Sequence, residues 1–505
     1  MPDARPVVPP VPLRSLAARL GAEPPPADVA VTGVCLDSRD VEPGDLYAAL
    51  PGAHTHGARF AGQAAARGAV AVLTDSAGVD DAAAAGLPCL VVADPRAVLG
   101  GLAAQVYGHP DEQLLLLGVT GTNGKTTTAF LLDAGLRAAG RRTGLVGTVE
   151  TRVAGEVLPS VRTTPEAPQV QALLALMVQR GCSAVTMEVS SHALALGRVD
   201  GTTYDVAVFT NLSQDHLDFH PSMQDYFAAK ASLFRAERSR LGVVAVDDEW
   251  GRRLAREAGV PVTTVALAPD VPADWRAVAV DATAVGSRFR AAGPAGREVE
   301  VSVALPGSFN VSNALLAVAA LDAAGVPLDA AAEGIADLPG VPGRMERVDA
   351  GQGYLAVVDY AHTPEAVRRL LETVREITEG RVIVVLGCGG DRDASKRAPM
   401  GRVAAELADV VVLTSDNPRS EDPAEIVAAM LAGAREVAGA AQVHAELDRA
   451  EAIAFAVSLA VSGDAVVVAG KGHEQGQEVH GEVRAFDDRV VLRELLAAPA
   501  SWGAR

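Results

Sequence analysis

The stretch LLLLGVTGTNGKTTTAFLLDAGLRAAG, residues 114–140, constrains this chain more than any other. An apolar run reads as a buried strand, a glycine loop follows, and an apolar-periodic helix opens at the threonines. A strand that runs through a tight loop straight into a helix is half of a βαβ unit, which calls for a parallel sheet covered by helices. Backbone N–H groups of such a loop and the helix N-terminus cradle phosphate oxygens, and a lysine reaches the β and γ positions. Gly121, Thr122, Asn123, Gly124, Lys125, Thr126 and Thr127 are the candidate contacts to a nucleoside triphosphate, with the Thr126 hydroxyl placed for Mg²⁺. The common G-x-x-x-x-G-K-[ST] spacing is not met. Val119 stands at its first glycine and Gly118 lies one residue early, so the sequence present is G-T-N-G-K-T-T.

The same strand–helix alternation runs through most of the chain. Strand-like runs occur near residues 69, 87, 113, 184, 204 and 241, then again in YLAVVDYAH, RVIVVLGCGG, DVVVLTSDN and DAVVVAGKGHE. The expected class is α/β with parallel sheets. At 505 residues the chain exceeds one ordinary core. Breaks at YGHPDEQ and at the Gly- and Pro-rich DLPGVPGR predict three domains, 1–108, 109–338 and 339–505.

A balance of 44 basic against 63 acidic residues, without basic clusters, argues against nucleic-acid binding. An anionic substrate would then need local positive groups and a divalent cation. The most apolar late stretch, AIAFAVSLAVSGDAVVVAG, breaks at Gly463 and Asp464, short of the roughly 20 residues that span a bilayer, so no membrane insertion is expected. Four scattered cysteines without metal-ligand spacing predict a reducing, cytoplasmic setting.

Polar groups collect at strand ends. AVTMEVSSHAL ends a buried strand with Glu188, Ser190, Ser191 and His192, and VFTNLSQDHLDFH ends the next with Asn211, Asp215, His216, Asp218 and His220. Each histidine alone reads as a structural hydrogen-bonder. Two such clusters after a phosphate loop suit Mg²⁺-assisted phosphoryl transfer. In DYFAAKASLF, Lys230 among small and apolar residues reads by itself as a surface lysine laying its stem on the helix. Asn310 and Asn313, in LPGSFNVSNALLAVAALDAAG, read as helix caps.

Three late loops follow strands: LGCGGDRDASKR with Arg392, SDNPRSEDP with Asp416, Asn417, Pro418 and Arg419, and AGKGHEQGQ with Gly470, Lys471, His473 and Glu474. Turn and N-cap chemistry accounts for SDNPRSEDP in isolation. A carboxylate, an amide and a guanidinium fork at converging strand ends also suit a small molecule bearing both amine and carboxylate.

GVTGTNGKTTT resembles the ATP loop of the Mur ligase family, three-domain enzymes of peptidoglycan precursor synthesis, and the later motifs extend the likeness over nearly the whole chain. Folate-polyglutamate synthetases share that loop, so the loop alone does not choose between the two and the later segments do. The resemblance implies a central P-loop ATPase-type parallel sheet flanked by an N-terminal UDP-binding α/β domain and a C-terminal Rossmann-like α/β domain. It implies Lys125, Glu188, His216 and Lys230 as the catalytic set, with Thr126, Glu188, His216 and a carbamylated Lys230 as Mg²⁺ ligands. Asn310, Arg344, Asp359 and His362 would complete the ATP site. Leu36, Ser38, Ala53, His54 and Thr55 would touch the UDP moiety, and Thr163, Thr164, Ser190 and Arg198 the rest of the sugar-peptide. Leu196 replaces a glutamine found in some members.

Members that add meso-diaminopimelate carry D-N-P-R, present at Asp416 to Arg419, although Ser415 departs from the commoner D-D-N-P-R. Arg392 and Arg419 would hold the distal carboxylate of that amino acid, and Asp416 and Glu474 its distal ammonium, with Asn417, Pro418 and Gly470 completing the pocket. The implied activity is ATP-dependent ligation of meso-diaminopimelate to UDP-N-acetylmuramoyl-L-alanyl-D-glutamate by a monomer acting on small molecules. L-lysine as acceptor, or a nucleotide-switched binding protein without ligation, are the alternatives.

Overall fold

The structure is a computed structural model that describes residues 5–497 apart from 53, 160, 161, 284 and 440. Three sheets, each with its own apolar core, succeed one another along the chain. The first has four parallel strands in sequence order, Gly33–Cys35, Asp45–Ala48, Ala71–Thr74 and Cys89–Val91.

The phosphate-loop strand Leu115–Thr120 lies inside an eleven-stranded central sheet, between Ala184–Glu188 and Tyr204–Phe209. Both pairings are parallel, with Glu188 opposite Val119 and Phe209 opposite Thr120. Three loops therefore leave one sheet edge side by side, the position at which open α/β sheets bind ligands. The strands are apolar on both faces because helices cover both. Lys125–Ala138 is buried from Thr126 to Leu136 and packs against Ser308–Ala323 and Leu328–Asp337. The alternating pattern did not reveal that both ends of this sheet turn antiparallel. Thr151–Val153 and Glu156–Leu158 close one edge, and hairpin-linked Trp275–Thr283, Gly286–Ala292 and Glu298–Val303 close the other. Such outer strands lie partly in solvent and lack the unbroken apolar runs that marked the parallel ones.

The third sheet has six strands, with Val382–Cys388, Val410–Ser415 and Ala465–Ala469 parallel in its middle. Cys388 pairs with Ser415 and Leu386 with Ala469, so the three late loops also start together. No described helix is long and apolar enough to cross a membrane.

Candidate active site

A cavity of about 400 Å³ separates the central unit from the C-terminal one. Thr122 to Thr127, Thr163, Glu188, Ser190, His216, Asn310, Arg344, Asp359 and His362 all line it. Residues up to 240 positions apart in sequence thus meet.

The loop's conformation demands its glycines. Gly121 has φ 146° and Gly124 φ 87°, and a Cβ on them would lie 1.9 Å from Thr210 Oγ1 and 2.4 Å from Asn313 Oδ1. Lys125 Nζ folds back to donate to the carbonyl oxygens of Gly121 and Thr122, each at 2.8 Å. Burial lowers its pKa. The Thr126 hydroxyl donates to Glu188 Oε2 at 3.0 Å and accepts from Arg344 Nη2 at 3.0 Å, so a C-terminal guanidinium touches the phosphate loop directly. Arg344 also lies over the Tyr360 ring, 4.5 Å from its centroid. It is the last residue of DLPGVPGR, which places it at the crossing between the two units.

Glu188 is 1% exposed and held from several sides. Thr148 donates to it through its amide at 2.8 Å and its hydroxyl at 3.1 Å, and the Thr148 hydroxyl oxygen lies 2.9 Å from Thr163 Oγ1, within hydrogen-bond distance. Thr164 Oγ1 donates to the Glu188 carbonyl at 2.9 Å and accepts from Ser190 N. Thr148 was not singled out in the sequence; it follows a short strand with no pattern around it, and only sheet order brings it to Glu188. Ser190 caps the helix Ser191–Ala195, accepting from Ala193 N. Arg198 pairs with Glu166 at 2.9 Å.

His216 adopts φ 55°, with Nε2 3.4 Å from Asp215 Oδ2 and its ring edge-on to His192 at 4.8 Å. Burial pushes its pKa down to about 3 against the pull of Asp215, leaving a neutral imidazole with a lone pair for a ligand. Lys230 is 1% exposed, which corrects its reading as a surface lysine: it lies beneath the loop and donates to Gly121 O at 2.7 Å. Asn310 and Asn313 cap nothing. Asn310 Nδ2 donates to Pro306 O, Asn313 Nδ2 to Asn310 Oδ1, and the Thr128 hydroxyl to Asn313 Oδ1, which ties this helix to the phosphate-loop helix. Asp359 accepts from Met345 N and Ala361 N at 2.7 and 2.8 Å. Burial raises its pKa despite Arg344.

The donors present fit Mg²⁺. Thr126 and Glu188 face the phosphate-loop cavity with oxygen donors, and His216 with a neutral imidazole. Few protein ligands suit an ion that keeps waters and phosphate oxygens in its shell.

The late loops form one hydrogen-bonded body. Asn417 Nδ2 donates to Glu474 Oε2 at 2.8 Å, and the wholly buried Lys471 donates to both Asn417 Oδ1 and Glu474 Oε2 at 3.0 Å. Gly390 N donates to Asn417 O, and Arg419 Nη1 to Gly390 O at 2.6 Å. Arg392 and Arg419 both flank Gly389. Gly470, φ 116°, would place a Cβ 2.7 Å from Asp416 Oδ2, so the two residues are packed against each other. Asp422 caps the following helix, so the turn reading held for that end of SDNPRSEDP. Behind the loops Arg449 and Asp488, both fully buried, form a two-pronged pair at 2.7 and 2.8 Å. Arg449 also donates to Ser415 O and Ala469 O, the last residues of two of the strands. Neither residue lies in a motif, and no local signal marks them.

In the first unit the buried Ser38 donates to Gln63 Oε1 at 2.7 Å, Leu36 is half-buried beside it in sequence, and His54 and Thr55 are exposed. Ala53 lies outside the described residues.

Three family models match successive parts of the chain: "Mur ligase family, catalytic domain" over residues 30–107, "Mur ligase middle domain" over 119–321, and "Mur ligase, glutamate ligase domain" over 343–472. A protein of Streptomyces avermitilis named UDP-N-acetylmuramoyl-L-alanyl-D-glutamate--2,6-diaminopimelate ligase is 59% identical over 487 residues, covering 96% of each chain. A solved structure of a ligase with that name is 34% identical with a TM-score of 0.66, covering 96% of this chain and 99% of its own. The MurF ligase of Thermotoga maritima in complex with ADP, 19% identical, shares the fold at a TM-score of 0.62, over 92% of this chain and 96% of its own. Phosphate loop, three-unit layout and near full-length identity agree, and the chain belongs to the Mur ligase family of ATP-dependent ligases.

Proposed function

We propose that this protein joins meso-diaminopimelate to UDP-N-acetylmuramoyl-L-alanyl-D-glutamate, forming ADP and phosphate, in the synthesis of peptidoglycan precursors. The observation that carries the reading is the 59% identity, across 96% of both chains, to a ligase named for that reaction. The cavity between phosphate loop and Arg344, and the two arginines flanking Gly389, support it.

The substrate carboxylate attacks the γ-phosphorus of ATP, releasing ADP and leaving an acyl phosphate. The amine of the acceptor attacks the acyl carbon, loses a proton, and the tetrahedral intermediate expels phosphate. Lys125 and the loop amides stabilise charge on the transferring group. Thr126, Glu188, His216 and Lys230, the last as a carbamate, would hold Mg²⁺, which supplies charge neutralisation on the phosphate oxygens. Gly121 to Thr127, Asn310, Arg344 and Asp359 bind ATP. Leu36, Ser38, Ala53 to Thr55, Thr163, Thr164, Ser190 and Arg198 bind the UDP-linked substrate. Arg392, Asp416 to Arg419, Gly470 and Glu474 bind diaminopimelate. Alignment of amine and acyl phosphate in a closed site supplies much of the rate, up to about 7–11 kcal/mol for well-oriented groups.

Domain 1–108 binds the UDP moiety, domain 109–338 holds ATP and part of the sugar-peptide, and domain 339–505 binds the acceptor and completes the ATP site; the protein acts as a cytoplasmic monomer in this reading. A ligation assay comparing meso-diaminopimelate with L-lysine, read by product mass, tests it. Product with diaminopimelate is expected; product with lysine alone overturns it.

A further inference from the structure

The mechanism makes no use of the hairpin Gly476–Val479 and Glu482–Ala485, which follows the Gly470–Glu474 loop and lies along Asp416–Arg419. Its backbone is fastened to that loop. Arg419 N donates to Glu478 O at 3.0 Å, His480 N to Arg419 O at 2.6 Å, Glu478 N to Asn417 Oδ1 at 3.0 Å, and Gln477 Nε2 to Asp416 O at 2.8 Å. Val479 and Arg419 pair as an isolated parallel bridge. This register turns the Glu478 side chain onto Arg419, with Oε2 3.3 Å from Nε.

The pair differs in kind from the buried arginine–carboxylate pair behind the loops. Arg449 and Asp488 are both 0% exposed, with two hydrogen bonds between them, a fixed structural tie. Arg419 and Glu478 are 23% and 40% exposed and meet at a single longer contact. A partly solvated single contact is weak and exchanges readily for another carboxylate on the same guanidinium. Resting on the ligase reading above, we infer that Glu478 is an affinity-setting stand-in for the acceptor's distal carboxylate: it occupies Arg419 before the acceptor arrives and is displaced by it. An amino acid with a second carboxylate replaces the contact that it breaks. One carrying only a distal ammonium leaves Arg419 paired with Glu478 and receives nothing from it.

Steady-state kinetics of Glu478→Gln and Glu478→Ala in the full chain test this. Both keep the backbone bonds that fasten the hairpin. The expected result is a fall in KM for meso-diaminopimelate of roughly 2- to 5-fold, the scale of a partly exposed ion pair, with kcat and the KM values for ATP and the UDP-linked substrate unchanged. In an Arg419→Ala background the same Glu478 substitutions should no longer change KM. A merely structural role for Glu478 would raise KM or leave it unaltered in both variants, and that result overturns the inference while wild-type ligation of diaminopimelate still stands. Failure of the wild-type protein to ligate diaminopimelate overturns the ligase reading itself, and this inference with it.

Discussion

Lys230 Nζ donates to the Gly121 carbonyl oxygen at 2.7 Å, and Lys125 Nζ donates to the same oxygen at 2.8 Å. Burial and the neighbouring Lys125 hold the Lys230 amine well below its usual pKa. A neutral amine is the form that adds CO₂ to become a carbamate, so a lowered amine pKa supports the proposed modification. Lys230→Met is expected to fold but to lose roughly 100-fold or more in kcat. Protein equilibrated with ¹³C-bicarbonate should show a carbamate carbon resonance that the variant lacks. A fully active Lys230→Met protein would exclude the role.

Gly124→Ala should strike ATP binding first. The new methyl would press on Asn313 Oδ1 from a residue held at φ 87°. The strain is worth about 1–3 kcal/mol, and it is expected mainly as a higher KM for ATP and a lowered Tm. Unchanged nucleotide affinity would mean that the loop relaxes without loss.

Arg419→Ala is expected to cost diaminopimelate roughly 1.5–3 kcal/mol in kcat/KM, the value of a charge-assisted contact. Binding of ATP, measured separately by calorimetry, should hardly change. Equal losses for both ligands would show that the residue supports the unit as a whole.

Removing one partner of the buried Arg449–Asp488 pair leaves a charge without compensation. Arg449→Met should lower stability by about 3–5 kcal/mol in denaturant titration. The double variant Arg449→Met/Asp488→Leu should recover most of that. Because Arg449 also holds Ser415 O and Ala469 O, the double variant is still expected to show a raised KM for the amino-acid acceptor. A normal KM there would confine the pair to a stabilising role.

His473 titrates against folding. Burial, with Arg344 and Arg489 nearby, pushes its pKa down to about 3 from a usual 6.5. Between those values the unfolded chain binds a proton that the folded chain does not. Stability therefore falls as pH drops below about 6.5, with a slope approaching about 1.4 kcal/mol per pH unit from this group. His473→Phe should reduce the slope from pH 6.5 to 4 without abolishing it, since His216 is held down in the same way; an unaltered slope would assign the acid lability to other groups.

The phosphate loop was legible because its determinants are local. An apolar run, two glycines where the backbone must turn left-handed, and a helix opening at Lys125 lie within a few residues of one another. The parallel cores were legible for the same reason, since strands buried on both faces are apolar throughout. Arg419 could be placed on a loop at a strand end, and the motif match tied it to one amino acid.

What the sequence could not contain was the environment of each group. Lys230 looks like a surface lysine until a loop 109 residues away closes over it. Glu478 looks like any exposed hairpin residue until the register of its backbone against Arg419 turns its carboxylate onto the guanidinium. By itself the sequence determined the buried parallel strands, the nucleotide loop and the family; tertiary structure alone decided which charges are buried, which are paired and which can be exchanged. Periodicity and turn chemistry act over a few residues, whereas burial and ion pairing depend on segments that only folding brings together.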